Sequence, residues 1–305
     1  MTVSIAWVRK IRNCEEIVFA SDSRLSGDGR SFDSAPKILT LPRTDCAIAF
    51  SGYTGDAFPM MLQLALAVDS YAPARRGSLY LSSLLKHALK VFDTMAELIR
   101  SSEGISTAQD TAPSANFLFG GYSWENKRFR LWSIVFSPSE QRFQAHPAKW
   151  CYFSKPAKKF VISSKKLLQP PAGAIAFTGD QATKARALLL AKLDEKHPGG
   201  GTYSGLDWEP FEAIRDMLRE QGRSETIGGA PQIVKVYQYM RSAPLGVYWP
   251  NKATGKVFLF GRPCLGYENI DRWVLDPDTL ESHSPTYSRD DVDDEEQDVA
   301  SGDPV

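Results

Sequence analysis

Residues 46–71, CAIAFSGYTGDAFPMMLQLALAVDSY, change their hydrophobic period partway along. CAIAFSG (46–52) is short, apolar and closed by a glycine, as a buried strand is, whereas MMLQLALAVDSY after Pro59 suits a buried helix ending before Pro73. Everything upstream reads as strand. TVSIAWV and EEIVFASD, both rich in β-branched and aromatic residues, form a hairpin around a polar turn at 9–14, and KILTL (37–41) pairs with CAIAFSG across a turn at 42–45. Downstream, Leu81, Leu84, Leu85, Ala88, Phe92, Met95 and Ile99 recur at 3/4 spacing and predict a second, longer helix. His87 falls off that stripe and is expected at the surface, and residues 101–114 read as a loop.

Strands resume at NFLFGGYSW, RFRLWSIVF, FQAHPAKWCYF, KKFVIS and AGAIAFTGD (172–180). TKARALLLAKL predicts a helix beginning near Asp180, and EPFEAIRDMLREQ another, with Phe211, Ile214, Met217 and Leu218 on one face. QIVKVYQYM (232–240) is the next strand. Strands, two helices, strands, two helices and strands in that order predict an α+β chain. A four-layer αββα sandwich over residues 1–241 would bury each sheet between helices and the other sheet. GVYWP, KVFLFG and RWVLD predict a C-terminal β-rich extension over 242–281. Residues 282–305 carry one arginine against eight acids, a net of −7, and are expected to be a disordered acidic tail.

The 305 residues are 43% hydrophobic and 24% charged, which fits an ordinary soluble protein and excludes collagen-like and disulfide-scaffold classes. The formal net charge of zero leaves the body before the tail at about +7, too thinly spread to indicate nucleic-acid binding. Cys14, Cys46, Cys151 and Cys264 lie too far apart for a CxxC or zinc pattern, and a reducing cytoplasm suits them. The start MTVSIAWVRKIRN lacks the basic opening and apolar run of a secretory leader, and no stretch is apolar enough to span a membrane, so a cytoplasmic location is expected. GxSxG, GxxxxGK[ST], HExxH and EF-hand patterns are all absent, the four histidines do not cluster, and GGGTYSG reads as a simple loop.

What remains for chemistry begins at Thr2. An initiator methionine before a small residue is commonly removed, which would leave Thr2 with a free α-amine beside its own hydroxyl. An α-amine titrates near ~7.7–8 and can therefore take the hydroxyl proton near neutral pH. Thr2, ASDSR (20–24), the lysine of PKI (36–38), AFSGYTGDAF (49–58), FLFGGY (117–122), FTGDQATKARALL (177–189) and IGG (227–229) follow one another over residues 2–240. In that order they resemble the proteasome β-subunit family, with its bacterial HslV-type peptidases, all of them N-terminal-nucleophile hydrolases.

The resemblance implies Thr2 as nucleophile, Asp22 and Lys37 as its charged support, Gly52 as the backbone donor to the oxyanion, and Thr178 where the family usually has serine. Ser224 or Glu225 would take the place of a family aspartate, and Ile227 replaces a serine. Phe50, two residues before Gly52, either floors a shallow substrate pocket or is plain core. Thr2 and Asp22 stand four residues further apart than in the family, and a hairpin longer by two residues on each arm keeps Asp22 on its face. The function so implied is cleavage of amide bonds in a peptide or unfolded protein through an ester on Thr2. No metal or organic cofactor is implied. Self-association into a ring and an ATP-dependent unfoldase partner follow from the family alone. A small-amide hydrolase and a catalytically silent scaffold are the rival readings.

Overall fold

A computed structural model describes residues 2–12, 14–27, 30–102, 112–164, 173–220, 226–239, 241–253, 256–268 and 270–284. Six strands come first: β1 (Ser4–Ile11), β2 (Cys14–Ser21), β3 (Leu25–Gly27), β4 (Arg30–Phe32), β5 (Ile38–Thr40) and β6 (Cys46–Gly52). Three helices follow, α1 (Thr54–Ser70), the single turn α2 (Ala72–Arg75) and α3 (Leu81–Ser102). The next strands are β7 (Ala115–Ser123), β8 (Arg128–Ser137), β9 (Arg142–Pro147), β10 (Lys149–Ser154), β11 (Lys159–Ser163) and β12 (Gly173–Thr178). After α4 (Ala182–Lys196) and α5 (Glu209–Glu220) come β13 (Gln232–Tyr237), β14 (Arg241–Trp249), β15 (Lys256–Leu259), β16 (Arg262–Pro263), β17 (Val274–Leu275) and β18 (Ser282–His283).

These strands form two main sheets. The larger runs β11-β10-β12-β1-β2-β13-β14-β15-β16, with β17 on β14 and β18 on β17, making eleven strands; the smaller runs β5-β6-β7-β8-β9. β3 and β4 make a separate ribbon. The β13–β14 pairing, Ile233↔Leu245 to Tyr237↔Arg241, carries the larger sheet directly into the segment beyond residue 241.

The expected four-layer αββα sandwich is corrected by this inventory. Strands make up 40% of the described residues against 28% in five helices, and the large antiparallel sheets dominate the molecule. The physical reason lies in the additional pairing edges: β14 to β18 keep adding hydrogen-bonded strands to the larger sheet, where the order of strands and helices along the chain suggested two sheets each covered by helices on one face.

Three apolar clusters hold the parts together. Ile17, Phe19 and Val234 of the larger sheet meet Ala47, Ala49 and Leu118 of the smaller one. On the other side of the larger sheet, Ile5, Trp7 and Val18 pack with Leu189 and Leu193 of α4 and Phe211, Ile214 and Met217 of α5. Ile48, Phe50 and Phe117 of the smaller sheet pack with Met60, Leu64, Leu84 and Phe92. Alternate residues of β6 thus serve different clusters, as a period of two requires.

Some boundaries differ from the pattern. α1 starts at Thr54 and runs through Pro59, because burial of Ala57, Met60, Met61 and Leu64 on one face outweighs the N–H that proline forfeits. FQAHPAKWCYF is two strands, since the chain crosses between sheets at Ala148: β9 pairs with β8 and β10 with β12. His87 is half-buried, with its Nε2 buried and unpartnered and its ring 5.8 Å from that of Tyr71. The acidic stretch from residue 285 lies outside the described residues. Among those described, no helix is long and apolar enough to cross a membrane.

Candidate active site

β1 and β2 pair from Ile11↔Cys14 to Ser4↔Ser21, and the ladder continues one step, with Val3 N donating to Asp22 Oδ1 at 3.1 Å and Asp22 N to Val3 O at 3.3 Å. This register places Thr2 and Asp22 together at one end of the hairpin despite its longer arms. Asp22 also accepts N–H bonds from Arg24 at 3.1 Å and Gly228 at 3.3 Å.

Lys37 enters from the residue before β5. Its backbone is held at both ends, N–H to Gln232 Oε1 at 3.0 Å and carbonyl from Phe50 N at 3.1 Å. The ammonium donates to Thr2 Oγ1 at 2.9 Å and to Asp22 Oδ1 at 2.8 Å. Thr2, Asp22 and Lys37 are therefore one contact group, and all three are buried. Burial pushes the Asp22 carboxyl up from its ordinary range and the Lys37 ammonium down, while their mutual attraction opposes both shifts.

Gly52 ends β6 with φ of +104°, where a Cβ would lie 2.1 Å from the Ser114 carbonyl oxygen. Only glycine fits this turn. It opens onto a cleft of about 740 Å³ lined by Leu25, Arg30, Phe32, Tyr53 and Asp180 among others. Thr178, opposite Ser4 in the β1–β12 register, shares a hydrogen bond between its hydroxyl and Ser51 Oγ at 2.5 Å. Phe50 is fully buried against the α1 side, its ring 6.2 Å from that of Phe58, so it is core. Ser224 and Glu225 lie outside the described residues, and Ile227 is buried.

Two residues at this site were not singled out by the sequence. Gln232, wholly buried, donates from Nε2 to the carbonyls of Asp22 at 3.1 Å and Ala35 at 2.7 Å while its Oε1 receives Lys37 N, so it ties the Asp22 and Lys37 segments together. Asp180 Oδ1 accepts from Thr2 N at 2.6 Å. The signal for Asp180 is the β1–β12 register: Ser4↔Thr178 and Ile5↔Phe177, extended by two residues, set Thr2 opposite Asp180. Among the described residues no group of side chains suits a metal ion. No family model matches the chain, and no curated protein matches it.

Proposed function

We propose that the chain is an N-terminal-threonine hydrolase that cleaves amide bonds in peptides once Met1 is removed. The observation that carries this reading is the Lys37 ammonium, within hydrogen-bond reach of both the Thr2 hydroxyl and the Asp22 carboxylate. A cation against the oxygen favours its ionised form, and Asp22 compensates the buried charge and fixes its direction. In the structure Thr2 N is a peptide nitrogen and the residue is 1% exposed, so loss of Met1 is what frees the amine.

The chemistry then follows from the chain's own groups. The α-amine takes the hydroxyl proton as Thr2 Oγ1 bonds to the substrate carbonyl carbon, and the Gly52 N–H faces the oxygen that gains charge. The ammonium returns that proton to the leaving amine as the C–N bond breaks, leaving an ester on Thr2. Water, deprotonated by the same amine, hydrolyses the ester and regenerates the hydroxyl. The cleft beside Gly52 gives an extended peptide a place to lie, with apolar surface from Leu25, Phe32 and Tyr53. Thr178 supports Ser51 at the end of β6 and has no step of its own in this scheme.

The test is turnover of a panel of fluorogenic peptides by wild type, Thr2→Ala and Thr2→Ser. Abolition in Thr2→Ala with the fold preserved, and partial activity in Thr2→Ser, are expected, since serine keeps the hydroxyl and loses the methyl that restricts its rotamer. Full activity in Thr2→Ala would contradict the reading.

A further inference from the structure

We infer that Asp180 is the positioning carboxylate for the Thr2 amine, holding the amine as base and stabilising the ammonium formed on attack. This rests on the reading of Thr2 as nucleophile. The placement is built into the fold by two features. The antiparallel register of β1 on β12 brings the residue two beyond Thr178 opposite Thr2. Gly179 then turns the chain with φ of +105°, passing so close to the Thr2 carbonyl that a Cβ would sit 1.9 Å from its oxygen. The turn delivers the Asp180 carboxylate to Thr2 N at 2.6 Å. Its second oxygen accepts from Thr226 Oγ1 at 3.3 Å and Gln181 Nε2 at 3.4 Å, so the carboxylate is oriented from both sides. Gln181 Nε2 also donates to Thr226 Oγ1 at 3.4 Å, which closes this small network.

The charged groups around the amine come from several elements. Lys37, before β5, faces it with Asp22 behind; Arg24, paired with Asp33, is close enough for its charge to bear on Lys37; and Arg30 of β4 lies across the same cleft. Lys37 is the cation in contact with Thr2 and opposes protonation of its amine, while Asp22 and Asp33 pair with Lys37 and Arg24. Asp180 is the carboxylate in direct contact with Thr2 N, and an anion there favours the protonated amine. The balance keeps the amine basic enough to take the hydroxyl proton and able to return it to the leaving group.

The experiment compares wild type, Asp180→Asn and Asp180→Glu after confirming that Met1 is absent from each. Asp180 is exposed, so the asparagine variant is expected to melt as wild type does. The acid limb of kcat/KM against pH, which reports the free amine, should move to lower pH by about one unit in Asp180→Asn. kcat should fall by about 10²-fold, and glutamate should restore part of both. An N-terminal adduct with an epoxyketone-type electrophile is measured alongside. A limb that stays in place in Asp180→Asn, with wild type forming the adduct on Thr2, overturns the role of Asp180 and leaves the nucleophile standing. A wild-type chain lacking Met1 that forms no adduct overturns the nucleophile and this inference with it.

Discussion

The Asp22–Lys37 pair is buried on both sides, and burial penalises each charge. Its worth therefore shows when one partner is removed: Lys37→Met leaves a carboxylate uncompensated, which costs about 3–5 kcal/mol. The double variant Asp22→Asn/Lys37→Met should recover most of that stability in urea unfolding and recover no activity. The pH dependence has a definite sign. Above the ordinary 3.8 and up to the raised value of Asp22, the native state holds the extra proton, so stability falls as pH rises. Between the lowered value of Lys37 and its ordinary 10.5 the unfolded chain holds the extra proton, so stability rises with pH. Both slopes should vanish in the double variant. The cysteines give an independent check on burial: Cys46 is pushed well above the usual thiol range and Cys151 up to about 12, both by burial, whereas Cys14 is exposed. Native protein treated with iodoacetamide should carry label on Cys14 and none on Cys46 or Cys151 until it is unfolded.

At the scale of elements, the site is made by the ends of strands. β1, β2 and β6 close at Thr2, Asp22 and Gly52, and β12 passes through Gly179 to Asp180. Gly179→Ala must relieve a 1.9 Å approach to the Thr2 carbonyl and an unfavourable φ together, so a loss of about 3 kcal/mol or more is expected, measured by thermal unfolding. Gln232→Ala leaves Lys37 N and two carbonyls unpaired in the interior, at about 1–3 kcal/mol for each group, and should lower activity by loosening Lys37. Thr2, Asp22 and Lys37 could be named from sequence only jointly, through the order of stretches that carries the family resemblance, since each alone is commonplace; the structure brings those three together. Asp180 and Gln232 act through strand register and through bonds to the backbone, which leave no mark in a linear pattern. Thr178 was singled out by its place in FTGD, yet its hydroxyl turns to Ser51. The split of FQAHPAKWCYF was hidden because both halves read as strand and only the sheet they join differs.

For the whole molecule, the hairpins were legible in the alternation of apolar residues, and the proportion of strand to helix was not. β15 to β18 are two to four residues long, too short to show a period, and β17 joins β14 in parallel across the intervening β15 and β16. β18 pairs His283 with Val274 and Ser282 with Leu275. A chain ending at residue 284 should therefore melt as the full chain does, since the residues beyond offer little apolar surface to bury, whereas one ending at 281 should melt lower. The two sheets meet across Phe19, Leu118 and Val234 and thereby hold the strand ends that carry Thr2, Asp22 and Gly52. That cooperation has chemical meaning only if Thr2 is the first residue of the working protein. The most direct measurement is the mass of the N-terminal peptide from active protein, before and after reaction with an epoxyketone-type electrophile. The proposed mechanism predicts a peptide beginning at Thr2 that gains the mass of the probe as activity is lost; intact Met1 on fully active protein would contradict it.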